Sequence, residues 1–174
     1  MPDRHPRVAA VVINYNGQEV TLQAVRSLRQ MTYPAFDLVV VDNGSTDGSQ
    51  EALARAFPDL LQERVEINQG SSSGYDHGLR WAVERGYDYI LLLNNDIEVE
   101  PDMLTWLVEA AEADPTIGCV APSATSTATG SACGPRGATS ASRKRSPGSG
   151  DMERSTAASM TRTPKWTTST AAPS

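Results

Sequence analysis

A run of four apolar residues, 90–93, leads directly into three polar ones, Asn94, Asn95 and Asp96. An apolar run of this kind is typical of a β-strand that is buried on both faces. In open α/β sheets the ligand binds beyond the carboxyl ends of the strands, and a carboxylate there suits a hard divalent cation that carries a phosphate group. Because Asn and Asp are also ordinary turn residues, this stretch alone predicts either a ligand site or a simple turn.

Two earlier β-branched runs end in the same way, residues 8–13 at Asn14 and residues 38–41 at Asp42. Strand-like and helix-like segments alternate along the first 122 residues, which predicts an α/β fold with a mostly parallel sheet and flanking helices. A parallel sheet gathers the carboxyl ends of its strands at one edge. We therefore expect the three polar strand ends to meet, and this convergence favours the ligand site over the simple turn.

Two of the connecting segments have informative patterns. In the first predicted helix, residues 18–30, apolar residues recur at helical spacing and predict a buried face with Val20, Ala24, Val25 and Leu28. Residues 68–78 contain three glycines and three serines, so we predict a loop whose backbone can approach a ligand closely, followed by a helix over residues 79–85.

Charge and composition change abruptly near Pro122. Residues 1–122 contain 8 Arg, no Lys and 19 acidic residues, whereas residues 123–174 contain 7 basic and 2 acidic residues and no Val, Ile, Leu, Phe or Tyr. Such a tail cannot bury enough apolar surface to offset the entropy of ordering it. We therefore predict a domain over residues 1–122, which supplies the whole core, and a low-complexity, disordered tail over residues 123–174.

Several classes of protein are disfavoured by the sequence. A net charge of −6 argues against a nucleic-acid surface. Two cysteines do not make a disulfide framework, no apolar segment follows the N-terminal charges, and no stretch approaches the roughly 20 apolar residues of a membrane span. The expectation is a cytoplasmic protein, with peripheral membrane contact left open.

The polar strand ends and the loop between them resemble family 2 glycosyltransferases, which are nucleotide-sugar enzymes with the GT-A (Rossmann-like) fold, and especially their rhamnosyltransferase-like branch. The resemblance covers about residues 8–122 and implies the nucleotide-sugar-binding half of a GT-A domain. The matching motifs are Val11-Val12-Ile13-Asn14-Tyr15-Asn16-Gly17, Val40-Val41-Asp42-Asn43-Gly44-Ser45-Thr46-Asp47-Gly48-Ser49, Asn68-x-Gly70, Gly74-x-x-x-Gly78-Leu79 and Leu92-Leu93-Asn94-Asn95-Asp96.

The resemblance also implies roles for individual residues. Tyr15 would stack near the base, although an exposed turn aromatic is the alternative, and Asp42 would accept hydrogen bonds from the base or ribose. Asp96 would hold a Mg²⁺ or Mn²⁺ ion that bridges the diphosphate, with Asn94 in place of the first acid of the family's DxD motif. The predicted nucleotide-sugar-binding residues are Asn14, Tyr15, Asn16, Asp42, Asn43, Gly44, Ser45, Asn68, Gly70, Gly74, Asp76, Asn94 and Asn95.

Some residues depart from the family pattern. Asp76 stands where the branch usually has Asn, and His77 is interpreted as structural or solvated. An inverting transferase needs a general base for the acceptor hydroxyl, which in this family is an acid from the second half of the domain. After Pro122 the acids are Asp151 and Glu153, and we assign no role to either.

A frameshift would explain the missing second half. If each hidden codon joins the third base of one codon to the first two bases of the next, residues 152–172 can encode GEVDRGQYDKDPEVDYVNGC, and residues 123–142 can encode RNFYGDRERLWAAGRDVSL. Both strings look like the continuation of this family. The hypotheses for the tail are thus an out-of-frame translation and a genuine disordered segment, and the codons of the gene decide between them.

The resemblance implies an inverting, metal-dependent glycosyltransferase of cell-wall or polysaccharide biosynthesis. It would transfer a sugar, with rhamnose as a candidate, from a nucleotide-diphosphate sugar to a glycan or lipid-linked acceptor, although this chain is expected to transfer poorly or not at all. The alternative is a non-catalytic nucleotide-sugar-binding module. A Rossmann-type dehydrogenase would need G-x-G-x-x-G after the first strand, and residues 14–17 do not provide it.

Overall fold

The computed structural model describes residues 5–68, 70–122, 140–143 and 158–163. The helices in these ranges are α1 (Gln18–Leu28), α2 (Ser49–Ala56), α3 (Ser71–Glu84) and α4 (Met103–Ala113). The strands are β1 (Val8–Asn14), β2 (Phe36–Asp42), β3 (Leu61–Arg64), β4 (Tyr89–Asn94), β5 (Ile117–Ala121), β6 (Ser140–Arg143) and β7 (Ala158–Arg162).

One sheet contains all of these strands, in the order β3-β2-β1-β4-β7-β5-β6. Strands β3, β2, β1 and β4 are parallel neighbours. Strand β7 is antiparallel to both β4 and β5, and β6 is antiparallel to β5. Strands β1–β5 therefore share one direction, which confirms the expected mostly parallel α/β sheet with flanking helices.

The central strand β1 is buried along its whole length, as its β-branched and alanine residues predict. Its residues alternate between the two faces of the sheet, because successive side chains of a strand point to opposite sides. Val8, Ala10 and Val12 pack in one apolar cluster with residues of α1 and α4, and Ala9, Val11 and Ile13 pack in another with residues of α3. Helices thus cover both faces.

The buried face of α1 differs from the prediction at one position. Val20 is 43% exposed, whereas Thr21 is fully buried together with Ala24, Val25 and Leu28. The buried positions follow the i, i+3, i+4, i+7 pattern of one helix face. The prediction omitted Thr21 because it is polar. Its buried hydroxyl forms hydrogen bonds with the side chains of Asn14 and Asn95.

The predicted loop over residues 68–78 is shorter than expected, because α3 already begins at Ser71. Gly74 and Gly78 therefore lie within the helix and face the sheet. A Cβ atom on Gly78 would approach Val11 Cγ1 to 2.4 Å, and one on Gly74 would approach Ile13 Cγ2 to 2.9 Å. These glycines let the helix pack closely on β1. The sequence had instead suggested that they belong to a loop that approaches a ligand.

We expected residues 1–122 to supply the whole core, and this is wrong. Strand β7, from the tail, lies between β4 and β5 in the sheet. Met160 pairs with Leu91 and Val120 and is only 1% exposed, so it belongs to the core. Backbone pairing orders this short polar strand where its composition predicts disorder. The remaining tail, with Asp151, Glu153 and most of the proposed frameshifted segments, lies outside the described residues.

No helix in the described part of the chain is both long enough and apolar enough to cross a membrane.

The close packing of α3 predicts that Gly78→Ala destabilises the protein. The added methyl group would overlap Val11, which is buried in the central strand, so we expect a loss of about 1–3 kcal/mol in the free energy of unfolding. Urea denaturation measures this loss. Glu84→Ala, at an exposed position of the same helix, is the control and should change stability little. Equal stability of Gly78→Ala and wild type would contradict the packing.

Two buried tyrosines predict a loss of stability at alkaline pH. Burial and a hydrogen bond to Asp37 raise the pKa of Tyr87 from 10.0 to about 12. Burial and a hydrogen bond to Glu112 raise the pKa of Tyr89 to about 12 as well. Between pH 10 and 12 the folded state therefore binds more protons than the unfolded state, so the free energy of unfolding falls as pH rises.

Urea denaturation across that pH range checks this dependence. The double variant Tyr87→Phe, Tyr89→Phe should lose less stability than wild type between pH 10 and 12. The same loss in both proteins would show that other groups cause the alkaline transition.

Candidate functional site

The carboxyl ends of three parallel strands meet at one edge, as the sequence predicts. Asn14 of β1 is in register with Asp42 of β2, and Ile13 is in register with Asn94 of β4. The residues that follow these strands are therefore neighbours in space although they are far apart in sequence. We call this edge with its adjoining loops the carboxyl edge.

Asn14 is the centre of a buried hydrogen-bond network. It is fully buried, and its Nδ2 donates to Asp42 Oδ1 at 3.0 Å and to Ser45 Oγ at 3.1 Å. Its Oδ1 accepts a hydrogen bond from Thr21 Oγ1 at 2.8 Å, and Asn95 Nδ2 donates to that same Thr21 oxygen at 2.9 Å. Both polar atoms of the Asn14 side chain thus have protein partners, so it positions other residues.

Asp42 has the same buried character. It is 2% exposed, and its Oδ2 accepts a hydrogen bond from the Ser45 backbone N at 3.1 Å. Arg64 at the end of β3 lies 3.8 Å from the same oxygen and partly compensates the buried charge. Since Asn14 holds the other oxygen, the Asp42 carboxylate is used within the protein.

The loops after β1 and β2 are held together by backbone and side-chain groups. The Asn16 backbone N donates to Ser45 Oγ at 2.9 Å, and Asn16 Oδ1 accepts from the Thr46 backbone N at 2.8 Å. Gly44 has φ +78°, and a Cβ there would come within 2.9 Å of the Asn68 backbone N. A side chain at position 44 would be strained and would push away the adjoining loop.

Asn43 connects this edge to the short loop before α3. It is 1% exposed, and its Nδ2 donates to Asn68 Oδ1 and to the Gly70 carbonyl oxygen, each at 3.1 Å. Asn68 Oδ1 also accepts from the Gly70 backbone N at 2.7 Å. Among the described residues no partner reaches Asn43 Oδ1, which is buried. The two amides therefore set the position of the loop.

A cavity of about 240 Å³ opens above this framework. Tyr15, which is 51% exposed, forms part of its wall. The lining combines aromatic and amide side chains with a glycine-containing loop, a composition that suits a base, a sugar and a phosphate group. The residues that line it are Ile13, Tyr15, Asn43, Asn68, Gly70, Ser71, Tyr75, Asn94 and Asn95.

Tyr75 of α3 reaches across to the end of β4, where its hydroxyl donates to Asn94 Oδ1. Burial and the negative charge of Asp96 raise the pKa of Tyr75 above its usual value of 10.0. The phenol therefore keeps its proton at neutral pH and acts as a hydrogen-bond donor at the cavity wall.

Asp96 is exposed beside the cavity. The described residues contain no group of three or more His, Cys, Asp or Glu side chains that could hold a metal ion. The protein can thus offer the Asp96 carboxylate to a cation at this edge. This donor set fits a hard cation that takes other oxygen ligands from a bound diphosphate and from water, as Mg²⁺ commonly does.

Two residues singled out from the sequence lie apart from the cavity wall. Asp76 forms an ion pair with Arg80 on the exposed surface of α3, with an N–O distance of 2.8 Å. His77 Nε2 lies 3.4 Å from Glu63 Oε2, a contact between α3 and β3 that agrees with a structural role.

Three residues of this edge were missed in the sequence. Thr21 lies on the buried face of α1, so a polar residue at an apolar-face position was an available signal. Tyr75 lies within the segment predicted to be a loop, and placing it requires the true start of α3. Arg64 reaches Asp42 only through the pairing of β3 with β2, so nothing local could have indicated it.

The network predicts that Asn14→Ala is strongly destabilising. The substitution removes the buried hydrogen bonds that join Asn14 to Asp42, Ser45 and Thr21, which should lower the free energy of unfolding by about 2–3 kcal/mol. Urea denaturation measures the loss. Gln23→Ala removes an exposed amide from α1 and should change stability by less than about 0.5 kcal/mol. Similar effects of the two substitutions would contradict the network.

Curated relatives match the part of the chain that forms this site. An undecaprenyl-phosphate mannosyltransferase from Micrococcus luteus is 32% identical over 116 residues, which are 64% of this chain and 47% of the relative. A poly-β-1,6-N-acetyl-D-glucosamine synthase from Staphylococcus epidermidis is 23% identical over 108 residues, or 61% of this chain and 26% of the relative. The chain thus spans about a quarter to a half of these relatives.

Solved structures share the fold. The mannosyltransferase PcManGT from Pyrobaculum calidifontis, solved with GDP-Man and Mn²⁺, superposes with a TM-score of 0.59 at 28% identity and covers 68% of this chain and 35% of that protein. S. aureus TarS residues 1–349 with UDP-GlcNAc gives a TM-score of 0.57 at 19% identity, over 65% of this chain and 33% of that protein. The GT-A fold implied by the resemblance is confirmed.

The family is shown by a match that covers most of the chain. The model described as glycosyl transferase family 2 matches residues 9–157. This range contains all the strand ends and loops that form the cavity. The chain therefore belongs to glycosyl transferase family 2.

Proposed function

We propose that this chain is the donor-binding part of a glycosyltransferase, and that a nucleotide-diphosphate sugar occupies the cavity at the carboxyl edge. The observation that carries the proposal is the meeting of Tyr15, Asn43, Asn68, Tyr75 and Asn94 around one cavity. These residues come from four separate segments, and the sheet brings them together where α/β folds bind ligands.

The buried polar residues at this edge and those of the cavity wall have different roles. Asn14 and Asp42 are buried and bonded to protein groups, so they hold the loops in place. The direct contacts come from the cavity wall, with the half-exposed Tyr15 stacking on the base. This assignment changes the expectation for Asp42, which becomes a residue that acts through Ser45 and Asn14.

We place the diphosphate at the end of β4, beside Asp96. Asp96 would hold Mg²⁺ or Mn²⁺ there, and the ion would supply charge neutralisation when the nucleoside diphosphate leaves. Exposure of the carboxylate favours this role, since a buried one would already have protein partners. The ligands in the PcManGT structure, GDP-Man and Mn²⁺, support the same pairing of a nucleotide sugar with a divalent ion.

We assign transfer with inversion, with rhamnose on a deoxythymidine or uridine diphosphate as the first donor to test, and a glycan or lipid-linked acceptor. The undecaprenyl-phosphate mannosyltransferase among the relatives supports a lipid-linked acceptor. Such an acceptor would place a cytoplasmic protein at a membrane surface, in peripheral contact.

A binding module without transfer is the second candidate. Among the described residues after Ala121, which are 122, 140–143 and 158–163, there is no Asp or Glu to act as general base. Titration with nucleotide sugars, together with a transfer assay, separates the candidates. Binding with turnover supports the enzyme, and binding without turnover supports the module.

Asp96→Asn tests the metal assignment. The variant should bind a nucleoside diphosphate at least about tenfold more weakly than wild type when Mn²⁺ is present, about 1.4 kcal/mol, and no more weakly in EDTA. Isothermal titration calorimetry gives both affinities. Glu109→Gln, which removes an exposed charge from α4, is the control and should match wild type. Equal weakening of Asp96→Asn with and without Mn²⁺ would contradict a metal role.

A further inference from the structure

One of the two polar groups of the Asn94 side chain is engaged in a hydrogen bond within the protein. Its Oδ1 accepts the hydrogen bond of the Tyr75 hydroxyl. Among the described residues no other hydrogen bond to this side chain is formed, and the Nδ2 group has no partner in that part of the chain. Asn94 is exposed and lines the cavity. Its amide N–H groups are therefore the part of the side chain that a ligand can meet.

The Tyr75 bond limits what Asn94 can do. A metal ion is bound by the amide oxygen, never by the amide nitrogen with its two hydrogens. Turning the oxygen toward a metal ion beside Asp96 would weaken or break the bond from Tyr75. The phenol is half-buried on α3, and α3 is held against β1 by Gly74 and Gly78, so the hydroxyl cannot easily follow.

We propose that Tyr75 is a positioning residue that makes Asn94 a hydrogen-bond donor to the diphosphate of the sugar nucleotide, so that Asn94 is not a metal ligand. This inference rests on the proposed function and deepens it. A diphosphate offers only acceptor oxygens, which suits an amide N–H group. Asp96 then remains the carboxylate for the cation.

The proposal has a measurable consequence, because part of the affinity for the diphosphate becomes independent of metal. In the full 174-residue chain, Asn94→Ala should weaken binding of a nucleoside diphosphate in EDTA by about tenfold, the value of a hydrogen bond to a charged group. Tyr75→Phe should weaken it similarly, since the freed amide can turn. The double variant should bind no more weakly than Asn94→Ala, because the two residues act through one contact.

Titration calorimetry with UDP, GDP and dTDP, each in EDTA and with Mn²⁺, provides the test. Tyr33→Phe is the matched control, because its hydroxyl donates to the Pro6 carbonyl oxygen at the opposite edge of the sheet. It should bind as wild type does. Circular dichroism of each variant checks that the chain is folded, so that a loss of binding is not a loss of structure.

The outcomes separate this inference from the function on which it rests. If wild type binds none of the three nucleotides under either condition, the proposed function fails and the inference fails with it. If wild type binds but Asn94→Ala lowers only the Mn²⁺-dependent part of the affinity, Asn94 is a metal ligand and the inference alone is overturned. Additive effects of Asn94→Ala and Tyr75→Phe also overturn it, since Tyr75 would then act independently.

Discussion

The buried amide of Asn14 connects the segments on which the carboxyl edge depends. It is bonded to Asp42 and Ser45 from the β2 side and to Thr21 of α1, and Thr21 in turn holds Asn95 after β4. In a region of low dielectric, a network whose groups are all paired is rigid, whereas the loss of one member leaves several groups unpaired. The positions of three loops therefore depend on this amide.

This buried network explains why residues that face the cavity can keep polar groups available for a ligand. Tyr15 and Asp96 are exposed, and Asn94 has an amide group without a protein partner among the described residues. They do not need to hold the fold, because Asn14 and Asp42 do so beneath them. A rigid layer that supports a solvent-facing layer is the arrangement expected of a site that must be in place before its ligand arrives.

The sequence motifs identified most of this edge but could not separate the two layers. Asn14 and Asn94 both follow apolar strands, and nothing local indicates that the first is fully buried and the second exposed. The difference arises from the surroundings of each strand end. Asn14 is bonded to Asp42, Ser45 and Thr21, whereas the pairing of β4 with β7 ends at Leu93 and Asn94 lines the cavity. Asp76, predicted to bind the nucleotide sugar, instead forms an exposed ion pair with Arg80 on α3, which begins earlier than its glycines suggested.

The sequence by itself determined the α/β class and the meeting of the polar ends of β1, β2 and β4. The apolar periodicity of each segment is local, and parallel strands gather their carboxyl ends at one edge of the sheet. Only the tertiary structure decided the roles of Thr21 and Tyr75, and the place of β7 between β4 and β5. These depend on contacts between residues far apart in the chain. A short polar strand such as β7 has no apolar pattern of its own and is recognisable only through the neighbours that pair with it.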